Sequence, residues 1–140
     1  GAAGGTSAKK QTEKPKLKII VYYFHGTSRC VTCRKLEAYS EETVKKEFEK
    51  ELKSGLLEFS AVNVEEKGNE HFIDDYALYT KALVLVQMNG AKQVKWKNLD
   101  KIWDLVKDKD AYMKYVSDEL KTFVADAEMS VKPVAAKGKK

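Results

Sequence analysis

Cys30-Val31-Thr32-Cys33 carries the only two cysteines of the 140-residue chain, at the point where an apolar run gives way to a helical pattern. Two thiols separated by two residues can close a disulfide across one helical turn. The run before them, Lys18-Ile-Ile-Val-Tyr-Tyr-Phe24, is rich in β-branched and aromatic residues and lacks clean alternation. That composition predicts a strand covered on both faces, in a parallel arrangement. His25-Gly26-Thr27-Ser28-Arg29 breaks it as a loop. A strand, a short loop and C-x-x-C at a helix start form a redox-motif setting, provided a βαβ pattern follows.

The pattern follows. From Cys30 a helical spacing runs through Leu36 and Tyr39, and Ser40-Glu-Glu-Thr43 reads as a fresh N-cap that predicts a kink or break near Ser40. Val44, Phe48 and Leu52 form a buried stripe, and Gly55 reads as its C-terminal stop. Leu56 to Val64 is a second strand, Glu65 to Asn69 a polar loop, and Glu70 to Leu78 a short helix. Lys81-Ala-Leu-Val-Leu-Val86 is apolar and β-branched enough for a central strand. Asn89-Gly90 signals a hairpin into Ala91–Trp96, with Val94 and Trp96 on one face. Asn98 and Asp100 are placed to cap a helix through Leu105. A last helix over about Asp110 to Ala125 aligns Tyr112, Val116, Leu120 and Phe123. The order is β-α-β-α-β-β-α: an α/β domain with a central four-stranded mixed sheet flanked by helices, its first two strands joined by a right-handed crossover.

Charge divides the chain into three parts. The net +5 resides in the ends: residues 1–16 carry net +3, residues 127–140 carry net +3, and the middle is close to neutral at −1. A body without a single-sign field is a poor partner for nucleic acid, so none is expected. The first sixteen residues hold no large apolar side chain and cannot offset their chain entropy by burial. We therefore read 1–16 as a disordered linker, 17–126 as the folded domain and 127–140 as a disordered basic tail. No apolar stretch approaches the roughly 20 residues that span a bilayer, and the first sixteen lack the apolar core of a secretory signal.

Element order and motif position over residues 17–126 resemble the thioredoxin-like superfamily. More narrowly, Tyr23-Phe-His-Gly-Thr-Ser-Arg-Cys-Val-Thr-Cys33, Leu78-Tyr-Thr-Lys81 and Lys95-Trp-Lys-Asn-Leu-Asp-Lys-Ile-Trp103 resemble bacterial thioredoxin-like proteins named, by homology, nitrophenyl-compound nitroreductase subunits. The superfamily resemblance implies a thioredoxin-like fold, with Cys30 as exposed nucleophile and Cys33 as resolving thiol. It also implies that Thr80, Lys81 and Ala82 face the dithiol. The chain departs from the pattern in four places. Arg29 stands where a tryptophan is usual, and Val31-Thr32 replaces Gly-Pro. Tyr22, Tyr23 and Phe24 fill the region of a buried acid. The proline usually held in cis before the central strand is missing, since Pro15 and Pro133 are the only prolines.

The chemistry expected is thiol–disulfide exchange with a protein or a small-molecule disulfide or dithiol. The thiolate is the attacking species. A helix N-terminus favours it at Cys30, and Arg29, Arg34 and His25 stand close enough in sequence to help. No cofactor is expected. A bridge closing so small a loop restrains the unfolded chain little, which speaks against a purely stabilising role. Two alternatives stay open: a non-catalytic binding subunit with a structural or regulatory disulfide, and metal binding through the two cysteines. Zinc wants four ligands, and only His25 and His71 could join the cysteines as histidine partners. Trp96, Trp103, Tyr112 and Tyr115 read as packing between the C-terminal helices and the sheet, and Lys92, Lys95 and Lys97 as guards of an outer strand. A monomer is expected, in a bacterial periplasm or cell envelope, with the cytoplasm left open.

Overall fold

A computed structural model describes residues 16–131. Its elements are β1 (Leu17–His25), α1 (Val31–Glu47), α2 (Glu49–Ser54), β2 (Leu57–Asn63), α3 (His71–Asp75), β3 (Ala82–Asn89), β4 (Lys92–Asn98), α4 (Ile102–Leu105) and α5 (Lys109–Ser130). The sheet order is β2-β1-β3-β4. β1 pairs parallel with β2 and antiparallel with β3, and β4 is antiparallel to β3. This is the thioredoxin-like plan expected from the sequence, a mixed α/β sheet between helical layers.

The two-faced reading of β1 holds. Its alternate residues Ile19, Val21 and Tyr23 join Leu83 and Leu85 in a core shared with α1, α4 and α5. Phe24, Val84 and Val86 point the other way, into a smaller cluster with Tyr76, partly covered by Phe72 and Leu78. Tyr22, Phe24, Phe72 and Tyr76 stack and tilt against one another there at centroid distances of 4.9–6.3 Å.

Several local expectations are corrected. α1 does not break near Ser40. Ser40 is fully buried inside a continuous helix, where its hydroxyl meets the Tyr112 hydroxyl at 2.8 Å. The interruption comes at buried Phe48, with φ −127° and ψ 34°, between α1 and α2. Gly55 ends α2 in the left-handed region at φ 88°, as its position implied. Asn98 and Asp100 do not cap α4, which has no side-chain cap; Asp108 caps α5 by accepting from the Ala111 N–H. α5 continues through buried Ala127 to Ser130, past the residue where the basic tail was placed. The remainder of that tail beyond Val131, and residues 1–15 of the linker, lie outside the described residues.

The β3–β4 hairpin also differs. Asn89 is the last rung of β3, paired with Lys92, so the turn is Gly90-Ala91 with a positive φ at Gly90 alone. A positive φ at the first central residue only is the pattern of a type II′ turn. A register shift between Gln87 and Met88 leaves Val94 as an extra residue in β4. The bulge puts Gln93 and Trp96, rather than Val94 and Trp96, on one face: both meet Tyr76, by a 2.6 Å hydrogen bond and an edge-on ring contact at 5.2 Å. Trp96 thus packs on the smaller cluster and not under the C-terminal helices. Lys95 and Lys97 face α5, Lys95 over the Phe123 ring and Lys97 at 2.6 Å from Glu119.

Candidate functional site

Cys30 is the N-cap residue of α1, extended at φ −94° and ψ 170°, and Cys33 lies in the first turn. The two are joined by a disulfide, with Cα atoms 5.0 Å apart. Cys30 is exposed whereas Cys33 is 2 % exposed. The Cys33 N–H points at the Cys30 Sγ at 3.1 Å. An N–H aimed at a sulfur from the start of a helix, backed by the macrodipole, stabilises negative charge there.

Beneath the motif lies Tyr23. Its hydroxyl donates to the Cys33 carbonyl at 3.0 Å. Burial pushes this phenol well above its ordinary value; the Arg29 charge draws it down in part, and the Glu37 charge pushes it further up. A second buried tyrosine, Tyr112 on α5, donates to the Leu36 carbonyl at 2.9 Å. Two phenols thus hold α1 in place, Tyr23 tying its first turn to the sheet and Tyr112 tying Leu36 to α5.

The other predicted site residues separate into two groups. Arg29 forms an ion pair with Glu37 of α1, both side chains about a quarter exposed at 26 and 25 %. Arg34 is exposed and gives its backbone N–H to the Cys30 carbonyl at 3.0 Å. His25 donates from Nδ1 to the Gly26 carbonyl at 2.8 Å and stacks on Tyr23. Ala82 opens β3 opposite Phe24, so the 80–82 stretch lies at the end of the sheet from which the Gly26–Arg29 loop leaves. His25, Glu65, Thr80 and Lys81 line a cavity of about 240 Å3 with Tyr79 and Phe24. Cys30, Cys33, Arg29 and Arg34 do not line it.

No peptide bond among the described residues is cis. The stretch before β3 is shaped instead by Ala77, which takes a left-handed φ of 51°. The Trp103 indole N–H donates to the Lys81 carbonyl at 3.0 Å and fixes where that stretch ends. Val31, between the two cysteines, is 72 % exposed, and Tyr79, at the rim of the cavity, is 87 % exposed. For a metal the geometry offers little: both sulfurs are in the disulfide, and His71 is 2.7 Å from Asp75 on the surface. Among the described residues no three His, Cys, Asp or Glu side chains gather to hold an ion.

The sequence reading missed Tyr23 and Glu37. Glu37 had a legible signal, standing four residues after Cys33 and seven after Cys30 on the same helix face. Tyr23 had none, because three aromatics in succession leave open which one faces α1.

No family model and no curated protein matches the chain. Among solved structures it is similar to a thioredoxin of Fasciola hepatica, 21% identical with a TM-score of 0.40, over 74% of this chain and 91% of that one. It is also similar to oxidized thioredoxin O2 of Arabidopsis thaliana, 14% identical with a TM-score of 0.40, over 67% and 75% of the two chains. The Deadhead thioredoxin of Drosophila melanogaster gives 15% and 0.39, over 66% and 75%. None of these supports the narrower resemblance to nitroreductase subunits. Likeness at this level says nothing of what the site does.

Proposed function

We propose that the protein is a thiol–disulfide oxidoreductase working through Cys30 and Cys33. The observation that carries the reading is the asymmetry of the pair, an exposed sulfur at a helix N-terminus bridged to a buried one in the next turn. In the reducing direction, the Cys30 thiolate attacks one sulfur of a substrate disulfide. A mixed disulfide forms and the other substrate sulfur leaves as a thiolate that takes a proton from water. Cys33 then loses its proton and attacks the Cys30 Sγ. The internal disulfide re-forms and the second substrate sulfur is expelled, two electrons having passed from the dithiol to the substrate. The reverse sequence donates the disulfide to a substrate dithiol. Val31 supplies apolar contact for a protein or small-molecule partner beside the exposed sulfur. In a bacterial cell envelope, where reoxidation is kinetically maintained, the donor direction would predominate.

Insulin reduction coupled to a dithiol tests this. Cys30→Ser is expected to abolish turnover, and Cys33→Ser to accumulate a mixed disulfide visible by mass spectrometry. Full activity in Cys30→Ser overturns the mechanism.

One observation favours a second reading, a binding module with a regulatory bridge: the Tyr79-Thr-Lys-Ala-Leu83 stretch, where the superfamily resemblance implies a proline, has none, and no described peptide bond is cis. An absence of turnover together with an ordinary Cys30 thiol pKa would decide for that module.

A further inference from the structure

Arg29 immediately precedes the exposed sulfur and, on its own, would favour a thiolate at Cys30. Its guanidinium is not free to do so. Nη2 is bound to the Glu37 carboxylate in a partly buried pair, and Nε is buried without a hydrogen-bond partner. Partial burial spares the pair much of the screening that makes surface ion pairs weak. Glu37 follows Cys33 by one turn and Cys30 by two. Helical side chains lean toward the N-terminus, so its carboxylate reaches back toward the motif. The hydroxyl of Tyr23, bound to the Cys33 carbonyl, responds to both charges with opposite signs, so both act at the floor of the dithiol.

We propose that Glu37 is a positioning residue for the redox pair: it anchors Arg29 and offsets its charge, leaving the Cys30 thiol less acidic, and the dithiol more reducing, than Arg29 alone would make them. The inference rests on the reading of Cys30 as the attacking thiol. Other charged groups near the motif come from several neighbouring elements. Arg34 is exposed on α1, His25 ends β1, Glu65 follows β2 with its carboxylate against Gly26, and Lys81 precedes β3. None of these four forms an ion pair with Arg29 or Glu37, so exchanging either partner of the pair leaves them in place.

The experiment compares the parent protein, Glu37→Gln, Arg29→Gln and the double variant. Each is reduced, and the Cys30 pKa is read from thiolate ultraviolet absorbance against pH. Each is also equilibrated with glutathione, and melting curves confirm that each is folded. Glu37→Gln is expected to raise the acid dissociation constant of Cys30 about three- to tenfold, and Arg29→Gln to lower it by a similar factor. The double variant should return close to the parent. A stabilised thiolate favours the reduced form, so Glu37→Gln shifts the glutathione equilibrium by the same factor toward dithiol, about 30 mV per tenfold change. A Glu37→Gln protein with an unchanged or higher Cys30 pKa overturns the proposal. So do shifts of the same sign in both single variants, which a merely loosened loop would give. If the parent turns insulin over and only these shifts are missing, the role of Glu37 fails alone. If the parent neither turns over nor shows an acidic thiol, the oxidoreductase reading fails with it.

Discussion

Tyr23 ties the sheet to the redox motif through one hydrogen bond, 3.0 Å long, to the carbonyl of Cys33. Removing the hydroxyl leaves that carbonyl with its helical partner, so Tyr23→Phe is expected to cost about 1 kcal/mol in urea unfolding with an unchanged denaturant slope. The paired cysteines and the helix start were legible because spacing alone sets C-x-x-C across one turn. What decides acidity was not. Arg29 reads in sequence as a free positive neighbour of Cys30, yet its charge is shared with Glu37, and only the folded turn shows the pairing. Val31 and Tyr79 were equally silent: the sequence reading gave neither a surface role, and their exposure depends on what the helix and the preceding loop leave uncovered.

Among the elements, α1 illustrates how a local signal yields to packing. Ser40-Glu-Glu-Thr43 has the composition of a helix start, and such residues do compete for backbone groups. Here the competition is won by tertiary contacts. Ser40 is held by Tyr112, and the Thr43 hydroxyl donates back to the Tyr39 carbonyl at 2.7 Å within an unbroken helix. Tyr112 contributes to both ends of this arrangement, since its hydroxyl reaches Leu36 and Ser40. Tyr112→Phe should therefore destabilise by about 1–2 kcal/mol and Ser40→Ala by about 1 kcal/mol, read from urea midpoints. The two losses should be less than additive, because the residues share one bond. In β4 the alternation rule failed for a different reason. A one-residue bulge at Val94 exchanges the faces of everything before it, and bulges leave no mark in a run of lysines and apolar residues.

At the scale of the whole molecule, the element order followed from hydrophobic runs and from one crossover and one hairpin, which is why it was predictable. The end of the domain was not. Ala127 to Ser130 looks featureless in sequence, yet Ala127 is fully buried and the Ser130 hydroxyl accepts from the buried Gln87 amide at 3.1 Å. A chain ending at Asp126 should lose about 1–3 kcal/mol, since Gln87 is left without its partner inside the sheet. Alkali provides a second global test. Burial, then Tyr22 and Asp75, push the Tyr76 phenol up to about 12, and burial raises Tyr23 and Tyr112 as well. Unfolded tyrosine ionises near pH 10. Above that pH the unfolded chain holds fewer protons than the native one, so stability is intact below about pH 10 and falls as the pH climbs through 12. Melting temperatures across this window check it, and Tyr76→Phe should decline less steeply than the parent.

The two ends of the described chain both reach the same part of β3. The Lys16 carbonyl accepts from the Gly90 N–H at 2.9 Å, at the hairpin end of β3, and Ser130 reaches Gln87 two rungs along the same strand. The disulfide lies past the opposite end of β1, nine residues away, or roughly 30 Å at about 3.3 Å per residue. Lys16 and Ser130 therefore both stand toward the hairpin end of the sheet, the end away from the disulfide.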